Sequence, residues 1–345
     1  MNEKTASSVN NKEKFPFVSV VIALKNERLS IGKCIDSFLN QSYPAESYEI
    51  LVYDGNSTDG SWEILKDIEE RNSLVKLFRN RREVAAAGWN DGFHRARGKY
   101  VVMMGGHSYV APDFISQNVN LLEHSDAPCS GGSVTALGSD LSSEAIALTF
   151  NHPFGVGDAR YRYAKKQCLV ETINYGMYRK SVVEAIGPIN EKLKRGEDWE
   201  YNYRIVSRFG KMIYSPDVKV FYFARSDFRS LWRRQYDAGK FKLEIIRKYP
   251  GSLLLRHITP FLFALAVMGL PILTFLGLNA KFIMAFWTIY LFTNLFFSFR
   301  IALSRGIKLF PYLIFGFFVM QFSYGFGFFV GLVKFVKSLI IRKKK

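Results

Sequence analysis

Acidic residues are absent from the C-terminal part of this chain, because none follows Glu244 in a sequence of 345 residues. The stretch from Ile245 to Lys345 holds 13 basic residues, which leaves 34 basic and 30 acidic residues before it. The formal net charge of +17 would on its own suggest a nucleic-acid partner. Most of it, however, belongs to the most apolar part of the sequence. This combination predicts membrane segments with basic flanks and argues against a nucleic-acid binder.

Cysteine is also scarce, with Cys34, Cys129 and Cys168 far apart and no CxxC pair among them. This pattern argues against a disulfide framework or a cysteine-held metal, and we expect reduced thiols in the cytoplasm. No secretory signal precedes the first domain, because residues 1–14 are polar and mixed in charge. We expect this segment to be a disordered tail.

Three uncharged runs follow residue 257, each about as long as the ~20 residues that span a bilayer. They are Ile258–Leu278, Phe282–Phe299 and Leu309–Val333. We expect two or three transmembrane helices within 258–333 and a basic tail at 334–345. Pro260, Pro271 and the glycine-rich stretch 325–331 leave a kinked or re-entrant path open.

The orientation of these runs is contradictory. If the first domain is cytoplasmic, three spans place Arg300, Arg305 and Lys308 inside but Lys343–Lys345 outside. The positive-inside rule favours both groups inside, which suggests that one of the three runs lies in the interface rather than crosses the membrane. We expect a multi-pass protein of the cell membrane whose first domain faces the cytoplasm and contacts membrane lipids.

Residues 15–223 have the pattern of an α/β domain. Strongly apolar strands are predicted at Phe17–Leu24, Tyr48–Tyr53, Val75–Phe78 and Gly98–Met104, with helical segments between them. Such alternation predicts a doubly wound, mostly parallel, Rossmann-like sheet whose ligands bind at the carboxyl ends of the strands. No GxGxxG follows the first strand, which counts against a dinucleotide-dependent dehydrogenase.

Four segments, taken together and in order, resemble one known family. They are VSVVIALKNE, EILVYDGNSTDG, AAGWNDGFHRARGKYVVMM and GEDWEYNYRI. They resemble the family 2 glycosyltransferases of GT-A fold, in particular membrane-anchored members similar to the succinoglycan-type glucosyltransferases. The resemblance covers about residues 16–250. It implies an inverting glycosyltransferase that takes a nucleotide-sugar donor, expected to be UDP-linked, and acts in polysaccharide or glycoconjugate biosynthesis.

The resemblance assigns donor binding to seven residues, which are Ala23, Asn26, Glu27, Asp54, Gly105, Gly106 and Gly176. Asp54 is expected to accept the imide N–H of a uracil ring, and Gly176 to lie beside the donor sugar. Each assignment has a structural alternative. The alternative is a turn-forming role for Asp54, plain loop polarity for the residues after the first strand, and a turn for the glycine pair.

The metal motif of the family is incomplete here. Where relatives have Asp-x-Asp or Asp-x-His, this sequence has Gly105-Gly106-His107. His107 is left as the candidate ligand of a divalent cation, Mn²⁺ or Mg²⁺, and an imidazole suits Mn²⁺ better. Three alternatives stay open: His107 holds a metal together with the diphosphate, it hydrogen-bonds the phosphate directly, or the chain has lost activity.

The segment Gly196–Trp199 supplies two carboxylates. By resemblance Asp198 is the base that takes the proton of the incoming hydroxyl, and Glu197 steadies the site. An acidic helix start is the alternative. A base is needed for a sugar hydroxyl but not for an ionised phosphate, which favours a lipid-linked glycan acceptor. A polyprenyl-phosphate sugar synthase and a non-catalytic nucleotide-binding protein stay open as well.

Four further residues are candidates for contact with acceptor phosphates, namely Arg160, Arg162, Arg234 and Gln235. The first two belong to a Gly- and Arg-rich loop, for which a solvated surface is the alternative. The others belong to the basic and aromatic segment 224–257, which fits an amphipathic helix whose cations, Lys242 among them, lie on anionic lipid. Gln235 has no following Arg-Trp, so the Gln-x-x-Arg-Trp motif of processive relatives is not intact.

Overall fold

The computed structural model of the chain describes residues 15–138, 140–193, 195–223, 227–277 and 279–343. The tail expected at 1–14 and the last two lysines of the basic tail lie outside these residues. The described part consists of a mixed sheet covered by helices, followed by a group of long helices.

The described residues form nine strands of one sheet. In chain order these are Val18–Leu24 (β1), Tyr48–Asp54 (β2), Val75–Arg79 (β3), Tyr100–Gly105 (β4), Ser108–Val110 (β5), Cys129–Leu137 (β6), Cys168–Val170 (β7), Met177–Arg179 (β8) and Met212–Phe223 (β9). The spatial order is β3-β2-β1-β4-β8-β6-β9-β5, with β7 also paired to β9. The first four strands are parallel, and β8 joins them antiparallel to β4.

Twelve α-helices lie within the described residues. They are Ile31–Leu39 (α1), Ser61–Arg71 (α2), Ala85–Arg95 (α3), Phe114–Glu123 (α4), Leu141–Phe150 (α5), Pro153–Val156 (α6), Lys180–Ile186 (α7), Glu197–Phe209 (α8), Phe228–Lys248 (α9), Leu255–Phe275 (α10), Lys281–Arg305 (α11) and Phe310–Lys343 (α12).

Strand β1 shows why the central strands are mostly apolar. Its seven residues are all buried, and neighbouring side chains point to opposite faces of the sheet. Ile22 packs in the core that contains Ile35 of α1, whereas Val21 packs in the core that contains Phe93 of α3. The sheet is therefore covered by helices on both faces, which confirms the predicted mostly parallel α/β architecture.

Helix α9 packs closely along α12, because glycines at the crossing let the two backbones approach. A Cβ on Gly239 would lie 2.1 Å from the carbonyl oxygen of Tyr324, and one on Gly327 would lie 2.0 Å from that of Tyr236. Small residues at crossings of this kind are typical of helices that pack within membranes. One face of the predicted interfacial segment is thus occupied by protein.

Three helical stretches are long and apolar enough to cross a membrane, namely Leu255–Phe275, Lys281–Arg305 and Ile307–Lys337. They match the three apolar runs of the sequence. Pro260 and Pro271 lie inside one continuous helix, α10. Half of the apolar window of the third stretch is buried, whereas the first two face outward along most of their length. These helices equip the chain for membrane association.

Candidate active site

Three of the predicted donor-binding residues lie at one edge of the sheet. Ala23 is in register with Gly105 of β4, and its neighbour Leu24 is in register with Asp54 of β2. Because these strands are parallel, their carboxyl ends meet and carry their loops to the same place. The edge therefore gathers the residues that the sequence assigned to the nucleotide sugar.

Asp54 is fully buried and only partly satisfied. Its Oδ2 atom accepts from Arg79 Nη1 at 2.7 Å and from the backbone N–H of Ser57 at 3.1 Å. Its Oδ1 atom is buried without a hydrogen-bond partner among the described residues. The Arg79 guanidinium also lies over the Trp62 ring, 3.3 Å from its centroid. Asp54 thus offers one free, oriented acceptor beside an aromatic and cationic surface.

Asn26 joins the loops that follow β1 and β2. Its φ angle is 56°, in the left-handed region that asparagine tolerates better than most residues. Its backbone N–H donates to Ser57 Oγ at 2.8 Å, and its Oδ1 accepts from the Thr58 N–H at 2.9 Å. Asn26 therefore stabilises the rim around Asp54 through its own hydrogen bonds.

His107 sits between a carboxylate and a phenol. Its Nδ1 lies 3.2 Å from Glu27 Oε1, and its Nε2 lies 3.3 Å from the Tyr175 hydroxyl. The ring also meets Tyr222 edge-on at 5.2 Å between centroids. Tyr175 has a φ angle of 58°, an unusual backbone conformation that is often found at functional sites.

Within the described residues, Glu27 and His107 form the only carboxylate–imidazole pair at this sheet edge. These residues contain no cluster of three or more side chains suited to a metal ion. Two protein ligands of this type fit Mn²⁺ better than Mg²⁺, and in such sites substrate phosphates and waters supply the remaining oxygens. The pair therefore fits a divalent cation only together with a bound diphosphate.

The three predicted glycines are explained at least in part by packing. A Cβ on Gly105 would lie 3.1 Å from His107 Cε1, and one on Gly106 would lie 2.9 Å from the Leu24 Cβ. Gly176 is buried, and a Cβ there would lie 2.6 Å from the Cys129 sulfur. Contact between these glycines and a donor sugar stays a prediction.

The two predicted carboxylates open helix α8, after Gly196 in the left-handed conformation that ends the preceding loop. Burial raises the pKa of Glu197 from 4.5 to about 7, with the neighbouring Asp198 as the second cause. Its Oε2 atom is buried without a hydrogen-bond partner among the described residues. Asp198 accepts the N–H of Trp199 on Oδ1 at 2.7 Å.

Both carboxylates line a cavity of about 680 Å³, formed between the sheet domain and the apolar helices. Predicted acceptor residues Arg162, Arg234 and Gln235 line the same cavity. The structure therefore brings the proposed base and three of the four acceptor candidates together. Arg160 is exposed and is not part of the lining of this cavity.

Arg234 connects the cavity to the sheet edge. Its Nη1 donates to the Tyr222 hydroxyl at 2.9 Å, and the Tyr222 ring contacts His107. The predicted donor-binding edge and the cavity are thus neighbours, connected by a hydrogen bond from Arg234 to Tyr222 and a ring contact between Tyr222 and His107.

Lys242 and Arg256 are among the cavity residues that were not assigned to the site from the sequence. Lys242, expected among lipid-facing cations, is only 6% exposed and lies over the Trp199 ring. Arg256 also lines the cavity, paired with Asp158. The helical period gives a sequence signal for the inward position of Lys242, because Lys242 lies three residues from both Gly239 and Ile245 on the buried face of α9.

Comparison with solved structures identifies the fold. The chain resembles mannosyltransferase PcManGT from Pyrobaculum calidifontis, solved with GDP-Man and Mn²⁺, at a TM-score of 0.57 and 17% identity over 90% of this chain and 87% of that one. It also resembles residues 1–349 of S. aureus TarS, solved with UDP-GlcNAc, at a TM-score of 0.53 and 14% identity over 90% of each chain. The fold is the GT-A fold of glycosyltransferases.

Sequence comparison narrows this class. Residues 19–187 match the glycosyl transferase family 2 model. The chain is 26% identical over 326 residues, 92% of its length and 98% of the relative's, to the dolichyl N-acetyl-alpha-D-glucosaminyl phosphate 3-beta-D-2,3-diacetamido-2,3-dideoxy-beta-D-glucuronosyltransferase of Methanococcus voltae. It is 28% identical to glycosyltransferase AglE of Haloferax volcanii over 67% of this chain and 74% of that one. The chain carries a family 2 glycosyltransferase domain and is a glycosyltransferase, as its motifs predicted.

Proposed function

We propose that this protein transfers a sugar, with inversion, from a nucleotide-sugar donor to a hydroxyl group of a lipid-linked glycan at a membrane. The observation that carries the proposal is the position of Glu197 and Asp198, which open into a cavity walled partly by apolar helices. A hydroxyl acceptor held at that place has a carboxylate beside it. The name of the Methanococcus voltae relative, a transferase acting on a dolichyl-phosphate-linked sugar, supports an acceptor of this class.

The donor is proposed to be a UDP-sugar. The unpaired Oδ1 of Asp54 is a buried acceptor, and the imide N–H of uracil is a donor of matching chemistry. Arg79 keeps the other carboxylate oxygen occupied, so that one orientation of the carboxylate is favoured. The sugar diphosphate would then lie along the sheet edge toward His107.

Glu27 and His107 are proposed to hold a divalent cation together with the donor diphosphate. When bound, such a cation offsets negative charge on the leaving diphosphate. The chain's own contribution is to place the two groups together, since Glu27 Oε1 lies 3.2 Å from His107 Nδ1.

Asp198 is proposed to act as the general base. It takes the proton of the acceptor hydroxyl while that oxygen forms a bond to the anomeric carbon of the sugar. The bond from this carbon to the diphosphate oxygen breaks on the opposite face, and the nucleoside diphosphate leaves with its electron pair. One displacement of this kind inverts the anomeric configuration. Glu197, whose pKa is raised to about 7, donates or accepts a hydrogen bond beside the base.

The location is part of the proposal. Three helices suited to crossing a membrane follow the sheet domain, and we propose a multi-pass protein whose catalytic domain faces the cytoplasm, where nucleotide sugars are made. The basic residues that flank the apolar helices support contact with anionic lipid headgroups.

Asp198→Asn tests the proposed reaction. Membranes containing the full chain are incubated with labelled UDP-sugars, a lipid-linked glycan fraction and Mn²⁺ or Mg²⁺. Loss of the base should lower transfer about 100-fold to 10,000-fold while UDP binding persists. Asp126→Asn, at an exposed position away from the cavity, is the matched control and should transfer normally.

Two results would contradict the proposal. Unchanged transfer by Asp198→Asn would indicate an already ionised phosphate acceptor, as in a polyprenyl-phosphate sugar synthase. Intact UDP binding by the wild-type chain, without turnover of any nucleotide sugar, would indicate a non-catalytic nucleotide-binding protein.

A further inference from the structure

The cavity has an excess of positive charge. Five basic side chains line it against three acidic ones, and one of those three, Asp158, is paired with Arg256 at 2.9 Å. Glu197, with its pKa raised to about 7, carries less than a full negative charge near neutral pH. Buried charges of one sign are unfavourable unless they are compensated, so the cavity favours an anionic ligand.

Lys242 is the most deeply buried of these cations, with 6% of its surface exposed. Its Nζ lies 2.7 Å from the centroid of the Trp199 ring. Burial, and then Arg256, lower the pKa of Lys242 well below 10.5, while Asp198 acts in the opposite direction. An anion next to Nζ would stabilise the ammonium form more strongly than these surroundings do.

Arg256, at the start of α10, has one N–H donor group that lacks a partner among the described residues. Its side chain is 10% exposed, and Nη1 is engaged by Asp158. Its Nη2 is buried without a hydrogen-bond partner among the described residues, an unfavourable state for an N–H group. Gly157 makes room for it, since a Cβ there would lie 3.0 Å from the Arg256 Cβ.

Aromatic and apolar side chains of the C-terminal helices also line the cavity. Phe263 comes from α10, Tyr290 from α11, and Met320 and Tyr324 from α12. Buried cations together with aromatic and apolar side chains in one cavity match a molecule that joins a phosphate to a long hydrocarbon chain.

We propose that Lys242 and Arg256 bind the phosphate group that links the acceptor sugar to its lipid, with the lipid chain lying along Phe263 and Tyr290. The inference rests on the proposed function in taking the acceptor to be lipid-linked. It adds two specificity-determining cations that the motifs do not assign. Asp198 lines the same cavity as both cations, so a sugar next to the bound phosphate would lie in the cavity that contains the proposed base.

The test is a binding measurement that requires no turnover. Full-length protein in nanodiscs is titrated with farnesyl diphosphate, farnesol and inorganic pyrophosphate, and the heats from empty nanodiscs are subtracted. Farnesyl diphosphate should bind the wild-type chain at least about tenfold more tightly than either of the other two. Lys242→Met and Arg256→Gln should each weaken it about tenfold or more and leave farnesol binding unchanged, because each removes a charge-assisted contact with phosphate.

Arg233→Gln is the matched control, because Arg233 is an exposed cation of the same helix and is not part of the cavity lining. It should bind all three probes as the wild type does. UDP binding is measured in the same samples, and a variant that keeps it has a folded catalytic domain. Each of the two positions is an independent test, so one folded variant is enough.

Unchanged farnesyl diphosphate affinity in a folded variant would overturn the inference. Pyrophosphate binding as tight as that of farnesyl diphosphate would overturn it too, because the cations would then bind a free phosphate rather than a lipid. Binding of farnesyl diphosphate that depends on both cations, in a chain that turns over no nucleotide sugar, would support this site and refute the proposed function.

Discussion

Asp54→Asn is the most direct test of donor recognition. The carboxylate is fully buried, with Oδ2 engaged by Arg79 and Ser57 and Oδ1 unpaired. The substitution keeps the shape of the side chain and removes its charge. In place of an anionic acceptor, the uracil imide N–H then meets either a neutral amide oxygen or an amide N–H.

The size of the effect follows from the type of bond. A hydrogen bond to a charged group contributes about 1.5 to 3 kcal/mol, so the Kd for UDP should rise about 10-fold to about 150-fold. Loss of the pair with Arg79 should add little, since the Arg79 side chain is 39% exposed and can be solvated. CDP should respond in the opposite direction, because N3 of cytosine is an acceptor that the carboxylate repels and an amide N–H can satisfy.

Isothermal titration of the wild type, Asp54→Asn and the exposed control Asp126→Asn with UDP and CDP measures both effects. The expected result is a lower preference for UDP over CDP in Asp54→Asn alone. Unchanged UDP affinity would refute the proposed contact with the base. An equal loss for UDP and CDP would also contradict it, since that result indicates general damage to the sheet edge.

Two further predictions concern stability. Because the pKa of Glu197 is raised to about 7, the folded protein keeps a proton that the unfolded chain loses above pH 4.5. The free energy of unfolding should therefore fall between pH 4.5 and about pH 7, by up to about 3 kcal/mol. Glu197→Gln should remove this dependence in thermal unfolding followed across that range, and an unaltered dependence would count against a buried, protonated Glu197. Gly239→Ala should force α9 away from α12, which costs about 1 to 3 kcal/mol of unfolding free energy and lowers the Tm. Gly269→Ala, where the added Cβ would meet open space, should not lower it. Equal Tm values for the two variants would contradict the close crossing.

The central strands were predictable because burial on both faces makes most of their positions apolar. The predicted strand Phe17–Leu24 differs from β1 by one residue. The short strands β5, β7 and β8 were not predicted, since three residues carry no usable period. Their pairing depends on distant partners, as in the register of Tyr109 with Phe221.

The site was predictable where motifs coincide with strand ends and a helix start, as for Asp54 and Asp198. The pairing of Glu27 with His107 was not, because it depends on how two loops fold toward each other. Lys242 was assigned to the lipid surface because a basic, aromatic helix has that pattern. Only the packing of α9 against α12 shows that this cation faces inward.

The cavity between the sheet domain and the apolar helices gives those helices a role besides membrane association. Its walls come from both parts, so a truncated domain ending near residue 223 would keep the sheet edge and lose half of the 30 residues that line the cavity with Asp198. The C-terminal helices therefore supply part of the cavity wall and are more than a membrane anchor. In the proposed function, the sheet edge binds the donor, and the acceptor lies in a cavity built from residues on both sides of residue 223.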